Sequence, residues 1–152
     1  MSLLVVDSLS VAYGSRQVLH DISFNLDRGE SLGLVGLSGS GKTQTALAIL
    51  GLLPDDAHVR GRVCFEETDL LEADTATLLR LRGQRIAMVF QDPSLALNPY
   101  LTIGHQLGAI LTTHRLAPSG AVRDQVIAAL ARVGLPDPGE QGDRYPHQLS
   151  GG

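Results

Sequence analysis

The chain is short of several things, and each shortage closes off a class of protein. It has one cysteine, Cys64, so no intrachain disulfide can form and a reducing compartment fits. It has no surplus of positive charge: 12 Lys and Arg stand against 16 Asp and Glu, a formal net charge of −4, which argues against a general nucleic-acid binder. It has no apolar run near the length of a membrane span. The opening Met1-Ser2-Leu3-Leu4-Val5-Val6-Asp7 lacks a basic stretch, and its apolar run is too short for a signal peptide. A soluble protein is therefore expected, with any membrane role exercised through a partner. His20, His58, His114 and His147 are isolated and show no metal-ligand spacing. Internal repeats and low-complexity tracts are absent. What is present suits one folded domain: 152 residues, 43% hydrophobic and 18% charged, outside the composition of disordered chains.

One stretch organises the rest. Gly36-Leu37-Ser38-Gly39-Ser40-Gly41-Lys42-Thr43 fits the phosphate-binding pattern G-x-x-x-x-G-K-[ST] at every fixed position. The apolar run Ser31-Leu32-Gly33-Leu34-Val35 before it predicts a buried strand, and Thr43-Gln44-Thr45-Ala46-Leu47-Ala48-Ile49-Leu50 after it predicts a helix. The chemistry explains the residue types. A triphosphate is a dense anion that must be wrapped by backbone N–H groups of the loop, Ser38 and Ser40 included, and Gly36, Gly39 and Gly41 keep that approach clear. The helix aims its positive end at the same phosphates. Lys42 adds a point charge for the β- and γ-phosphates, and the Thr43 hydroxyl is a hard oxygen ligand suited to Mg²⁺. A tight glycine turn alone would not require Lys42 and Thr43 after Gly41. A dinucleotide fingerprint fails because Gln44 stands where its third glycine belongs.

Around this stretch, residues 3–13 alternate apolar and polar with a slip near Asp7-Ser8 and read as a strand. Residues 12–15 form a turn, residues 17–26 a further strand, and Asp27-Arg28-Gly29-Glu30 another turn. An antiparallel β layer thus precedes the first strand–loop–helix unit. Residues 51–56 are a loop, 61–66 a short strand, 66–74 an acidic loop and 75–81 a short helix. Ile86-Ala87-Met88-Val89-Phe90 predicts a second buried strand, closed by Gln91-Asp92-Pro93. Residues 94–99 are turn-rich. Helical spacing covers residues 101–111 and 119–133, the second with Ser119 as its cap, and residues 138–146 read as loop. Asn98 and His105 are read as turn and surface residues.

At this point the chain resembles the nucleotide-binding subunits of ABC transporters. Besides the phosphate loop, Tyr13 stands where that family places an aromatic that stacks on adenine, Gln91 stands at its Q-loop, and Leu149-Ser150-Gly151-Gly152 is its LSGG signature. Leu79-Arg80-Leu81-Arg82-Gly83, the run from Ile86 to Pro93, Leu97-Asn98-Pro99, Ile103-Gly104-His105-Gln106 and Tyr145-Pro146-His147-Gln148 look like the oligopeptide, dipeptide and nickel importers.

The resemblance implies an α/β P-loop NTPase core, truncated, with an N-terminal antiparallel β subdomain at 1–30, a phosphate-loop core at 31–91, and a Q-loop and helical subdomain at 92–152. It implies ATP and Mg²⁺ as cofactors, with Gln91 joining Thr43 at the metal and positioning water. Ser150, Gly151 and Gly152 would meet the γ-phosphate bound by a second ABC ATPase subunit, in a homo- or heterodimer. Integral membrane permease subunits would dock on residues 91–116, with Leu95, Leu97 and Tyr100 as anchors, and a solute-binding protein would act indirectly. The place would be the cytoplasmic face of the membrane, and no nucleic acid is implied. The function would be uptake of peptides or a related solute such as nickel. Family members continue past the signature with an apolar strand ending Asp-Glu and a switch histidine. Neither occurs within these residues, so this chain alone is expected not to hydrolyse ATP. Two alternatives stay open: a nucleotide-binding module without turnover, and a soluble ABC ATPase outside transport.

Overall fold

An extra residue in the first strand sets which of its side chains reach the core face of the sheet. The computed structural model describes residues 2–92 and 96–149. Strand β1 (Ser2–Tyr13) runs through the tight turn at Gly14, φ 56°, into strand β2 (Arg16–Asp27), and the two pair antiparallel. On its other side β1 pairs antiparallel with β3 (Ala57–Phe65), which folds back onto the two-residue β4 (Thr68–Asp69), giving the order β2-β1-β3-β4.

Strict alternation would follow Val6 with residues 8 and 10 on the core face. Instead Val6, Leu9 and Val11 are buried, because the chain bulges at Asp7-Ser8, where Ser8 takes φ 52° and both pairings shift register. The slip expected from the pattern is this bulge. It puts Leu9, Val11 and Tyr13 in phase with Val6. The Ser23 hydroxyl accepts the bulge's Ser8 N–H at 2.8 Å. Gly61, φ 103°, lies against the bulge so closely that a Cβ there would come within 2.5 Å of the Ser8 carbonyl oxygen and 2.6 Å of that of Asp7.

The core face of the sheet carries Val6, Leu9, Val11, Leu19, Val63 and Phe65, and helix α1 (Lys42–Leu50) adds Ala48 to the same cluster. Helix α2 (Thr75–Leu81) follows, its first turn capped by Asp74, which accepts the Thr77 N–H at 2.7 Å. Both helices fall where the residue pattern put them. Strand β3 begins at Ala57, four residues ahead of the expected 61, because pairing with Tyr13 and Ala12 continues past the apolar stretch.

Two expected strands are not strands here. Residues 31–35 and 86–90 run without strand pairing, save one isolated bridge between Arg82 and Ile86. Most of their large apolar side chains stay open, with Val35 95% exposed and Val89 86% exposed, though Ile86 packs at the edge of the core. The physical reason is that a strand is a property of a pair. Apolar runs of this kind become buried strands only against a neighbour, and among the described residues no strand is paired with either run.

The chain divides after Ile86 into two compact units. The second is helical: α3 (Ile103–Thr113), α4 (Val122–Arg132) and α5 (Pro138–Asp143). Ile103, Val126 and Leu130 are buried at its centre, with Leu107, Leu111, Val122, Leu135 and Leu149 around them. The Thr102 hydroxyl caps α3 by accepting the His105 N–H at 3.3 Å. The expected helix at 119–133 opens instead as a 3-10 turn, Ser119–Ala121, before α4, and the proposed Ser119 cap rests on a side chain outside the description. The expected loop at 138–146 contains α5. Its six residues include two glycines and no apolar stripe, so periodicity could not reveal it. Close packing supports it: a Cβ at Gly104 of α3 would stand 2.8 Å from the Gly142 carbonyl oxygen, and the Ile103 N–H donates to the Arg144 carbonyl at 2.9 Å.

Candidate functional site: the glycine loop and its helix

The loop at 36–41 folds by backbone geometry that its glycines permit. The Ser40 N–H donates to the Leu37 carbonyl at 3.2 Å, and Gly39 and Gly41 take φ of 79° and 94°. Gly41 is buried against β2, where a Cβ would overlap Leu19 Cδ2. A Cβ at Gly36 would strike Ser40 Oγ at 2.5 Å. The Ser40 and Leu19 side chains thus occupy the space that a Cβ at Gly36 or Gly41 would need, and the loop's backbone is left uncovered by side chains of its own at these positions, as an anion cradle requires.

Helix α1 begins at Lys42, directly after the loop. Its N-cap, Gly41, supplies no side-chain acceptor, and its first turn holds no acidic residue, so its first N–H groups and the positive end of its dipole are left for another acceptor. Thr45 fixes the start: its N–H and its buried hydroxyl both donate to the Gly41 carbonyl, at 2.8 and 3.1 Å. At the other end, Gly51 closes the helix in the left-handed conformation, and the Arg82 guanidinium donates to the Leu50 and Gly51 carbonyls, both at 2.8 Å. A cation therefore complements the negative end of α1.

Lys42 Nζ turns back into the loop and donates to the Gly36 and Leu37 carbonyls, each at 2.8 Å, and to Ser40 Oγ at 3.4 Å. An ammonium held by neutral oxygens needs only to exchange partners to meet an anion. Ser38, Ser40 and Thr43 are exposed beside it. Among the described residues no group of three or more His, Cys, Asp or Glu could hold a metal, so a divalent cation here would depend on hydroxyl and ligand oxygens.

Tyr13 comes to the same helix. Its phenol donates to Gln44 Oε1 at 2.8 Å. The first unit thus brings together Tyr13 and the loop residues Gly36, Ser38, Gly39, Ser40, Gly41, Lys42 and Thr43. Gln91 belongs to the second unit and is exposed. Ser150, Gly151, Gly152 and Leu95 lie outside the described residues. Leu97 and Tyr100 are exposed. Their loop is braced by Gln106, whose amide accepts the Asn98 N–H at 2.9 Å and donates to the Asn98 and Leu101 carbonyls, both at 3.0 Å. Asn98 is a turn residue as expected, its side chain accepting the Tyr100 N–H at 2.9 Å.

Sequence reasoning passed over Gln44, Arg82 and Glu66. Arg82 and Gln44 act on partners about thirty positions away, a distance at which no local pattern speaks. The residue pattern places Glu66 at the start of an acidic, solvated loop. It accepts instead from Arg85 at 2.7 Å and from Arg28, tying the turn ahead of the glycine loop to the segment after α2. Partial desolvation of this carboxyl raises its pKa. The hydrogen bonds and charges of Arg85 and then Arg28 outweigh that effect and hold it below the ordinary glutamate value. A lowered folded pKa means stability that is present above the unfolded glutamate pKa and lost as pH falls through the folded one. Glu66→Gln is accordingly expected to lower the thermal midpoint slightly at neutral pH, with the gap to the parent closing as acid protonates Glu66. A gap that widened in acid would refute the pairing. The two ion pairs are surface-exposed, so the effect is also expected to shrink with salt.

Comparisons with known proteins agree with this geometry. Residues 19–152 match the family described as ABC transporter. The dipeptide transport ATP-binding protein DppD of Bacillus subtilis is 44% identical over 99% of this chain and 47% of its own length. The oligopeptide transport ATP-binding protein OppD of Escherichia coli is 37% identical over 99% of this chain and 46% of its own. The chain spans about half the length of the curated relatives it matches. Among solved structures, cbiO1 from Clostridium perfringens, described as part of the ABC transporter complex cbiONQ, superposes with a TM-score of 0.70 at 26% identity, covering 98% of this chain and 56% of that one. A structure described as the ATP binding subunit of an ABC transporter gives 0.68 at 25% identity over the same shares. The α/β fold of an ABC ATPase core is thereby shared. Among the described residues no helix is long and apolar enough to cross a membrane.

Proposed function

We propose, because this chain belongs to the ABC transporter family, that it forms the nucleotide-binding part of an ATP-driven importer of peptides. The observation that carries the nucleotide reading is the loop itself. An uncapped helix start, a glycine-shaped cradle and the Lys42 ammonium converge on one exposed place. The peptide assignment rests on relatives whose names give dipeptide and oligopeptide transport.

In this reading backbone N–H groups from Gly36 to Gly41, with Ser38 and Ser40, wrap the phosphates of ATP. Lys42 pairs with the β- and γ-phosphates. The hydroxyl of Thr43 and the amide of Gln91 serve Mg²⁺, and Tyr13 stacks on adenine. Bound Mg²⁺ would neutralise charge on the phosphate oxygens, and these residues would orient the nucleotide around it. Ser150, Gly151 and Gly152 would act on the nucleotide of a second subunit. Hydrolysis, pairing of subunits and docking of membrane permease subunits at the cytoplasmic face belong to the whole protein.

Cells lacking the intact protein are expected to lose uptake of a labelled dipeptide or tripeptide, and the Lys42→Ala protein should not restore it. Uptake of nickel lost in place of peptide uptake would reassign the solute. Loss of neither would overturn the transport reading. In the same assay, Leu97→Ser combined with Tyr100→Ser is expected to reduce uptake severalfold while leaving ATP affinity unchanged, because these exposed side chains would lose their apolar seat on the membrane partner. Unaltered uptake would remove this loop from the docking surface.

A further inference from the structure

Tyr13 and Gln44 stand 31 positions apart, yet the Tyr13 phenol donates to Gln44 Oε1 at 2.8 Å. Tyr13 is the last residue of β1, and Gln44 is the third residue of α1, one place beyond Thr43. Both side chains are half-buried, so water could replace either partner, and the bond is not needed to rescue a buried polar group. Nor is it needed to seat the helix: Thr45, Ala48 and Leu50 are the residues α1 buries, and Ala48 joins Leu9, Val11 and Leu19 in the core. What the bond does fix is the direction of an aromatic ring at the end of a strand, relative to the helix that begins at the phosphate loop.

We propose that Gln44 is a positioning residue for base recognition: it holds the Tyr13 ring at a set place beside α1, so that one ligand meets the ring with its base and the loop with its phosphates. This inference rests on the nucleoside triphosphate reading and adds to it the residue that couples its two halves. A ring held before the ligand arrives loses less freedom on binding, and the gain falls on the base alone. Inorganic tripolyphosphate, which has no base, should be indifferent to the tether.

The test is a calorimetric titration of the intact protein with ATP and, separately, with tripolyphosphate, each with Mg²⁺. Tyr13→Phe keeps the ring and removes only the hydroxyl. Gln44→Leu keeps the approximate volume and removes only the acceptor. Each is expected to weaken ATP by about three- to tenfold. The double variant should be no weaker than either single one, since both remove the same bond, and tripolyphosphate affinity should stay within about twofold. Tripolyphosphate weakened in proportion to ATP would place Gln44 at the phosphates and overturn the inference. Additive losses, or no loss of ATP affinity in either variant, would overturn it too. A parent protein that bound neither ligand would fail differently, removing the nucleotide reading on which the inference stands.

Discussion

Gly61→Ala is expected to destabilise the protein by about 3 kcal/mol, seen as a lower denaturant midpoint with an unchanged slope. Two costs combine. At φ 103° an L side chain is strained, by about 1–2 kcal/mol on the left-handed scale. The added Cβ also has nowhere to go: the atoms at 2.5, 2.6 and 2.7 Å are the Ser8 and Asp7 carbonyl oxygens and the Ser8 carbonyl carbon, all of them backbone. A flexible side chain could swing aside, but a paired strand cannot. Gly29 makes the comparison. It also has positive φ, 78°, but open space around its Cβ position, so Gly29→Ala should cost only about 1 kcal/mol. Equal losses in the two variants would show that the bulge is not tightly packed. The effect should reach the site. The bulge at Asp7-Ser8 is what puts Tyr13 in phase with Leu9 and Val11 on the face that α1 covers, so a protein that sheds the bulge turns Tyr13 to the other face.

Lys42→Ala is expected to lower ATP affinity by about 10- to 100-fold while leaving the fold intact, as measured by calorimetry and by the melting curve of the ligand-free protein. The loss follows from removing one charge-assisted contact to a phosphate. The fold should survive because Nζ binds two carbonyls and the Ser40 hydroxyl of its own exposed loop, all of which water can satisfy. Lys42→Arg should not rescue fully, since the planar guanidinium cannot take the place of a compact ammonium between the Gly36 and Leu37 carbonyls. Full affinity in Lys42→Ala would take this residue out of the site.

Local patterns in the chain were informative wherever one segment determines its own shape. The glycine loop, α1, α2 and the β1–β2 hairpin follow from spacing, turn residues and periodicity, and even the bulge shows as a break in alternation at Asp7-Ser8. The runs at 31–35 and 86–90 went the other way because strand pairing depends on a neighbour that no local window contains. Helix α5 escaped for a related reason: its stability comes from Gly142 lying against Gly104, not from an apolar stripe of its own.

The site divides in the same manner. Gly36, Gly39, Gly41, Lys42 and Thr43 are contiguous and legible as a motif. Tyr13 entered only through resemblance, since one aromatic at a strand end carries little signal. Its partner Gln44 was seen merely as the residue that breaks a dinucleotide fingerprint. The Arg82 bonds to the end of α1, and the double pairing of Glu66, required the folded chain to bring distant residues together.

The central claim is that the loop at 36–43 takes the phosphates of a nucleoside triphosphate. A crystal structure of the intact protein with Mg²⁺ and a non-hydrolysable ATP analogue tests it most directly. The account predicts the β-phosphate within hydrogen-bond reach of the N–H groups around Gly39, Gly41 and Lys42, with Lys42 Nζ moved from its carbonyls to the phosphates and the adenine against Tyr13. A triphosphate bound elsewhere, for example in the surface groove lined by Ser10, His58 and Arg60 on the sheet, with the loop unchanged, would contradict it.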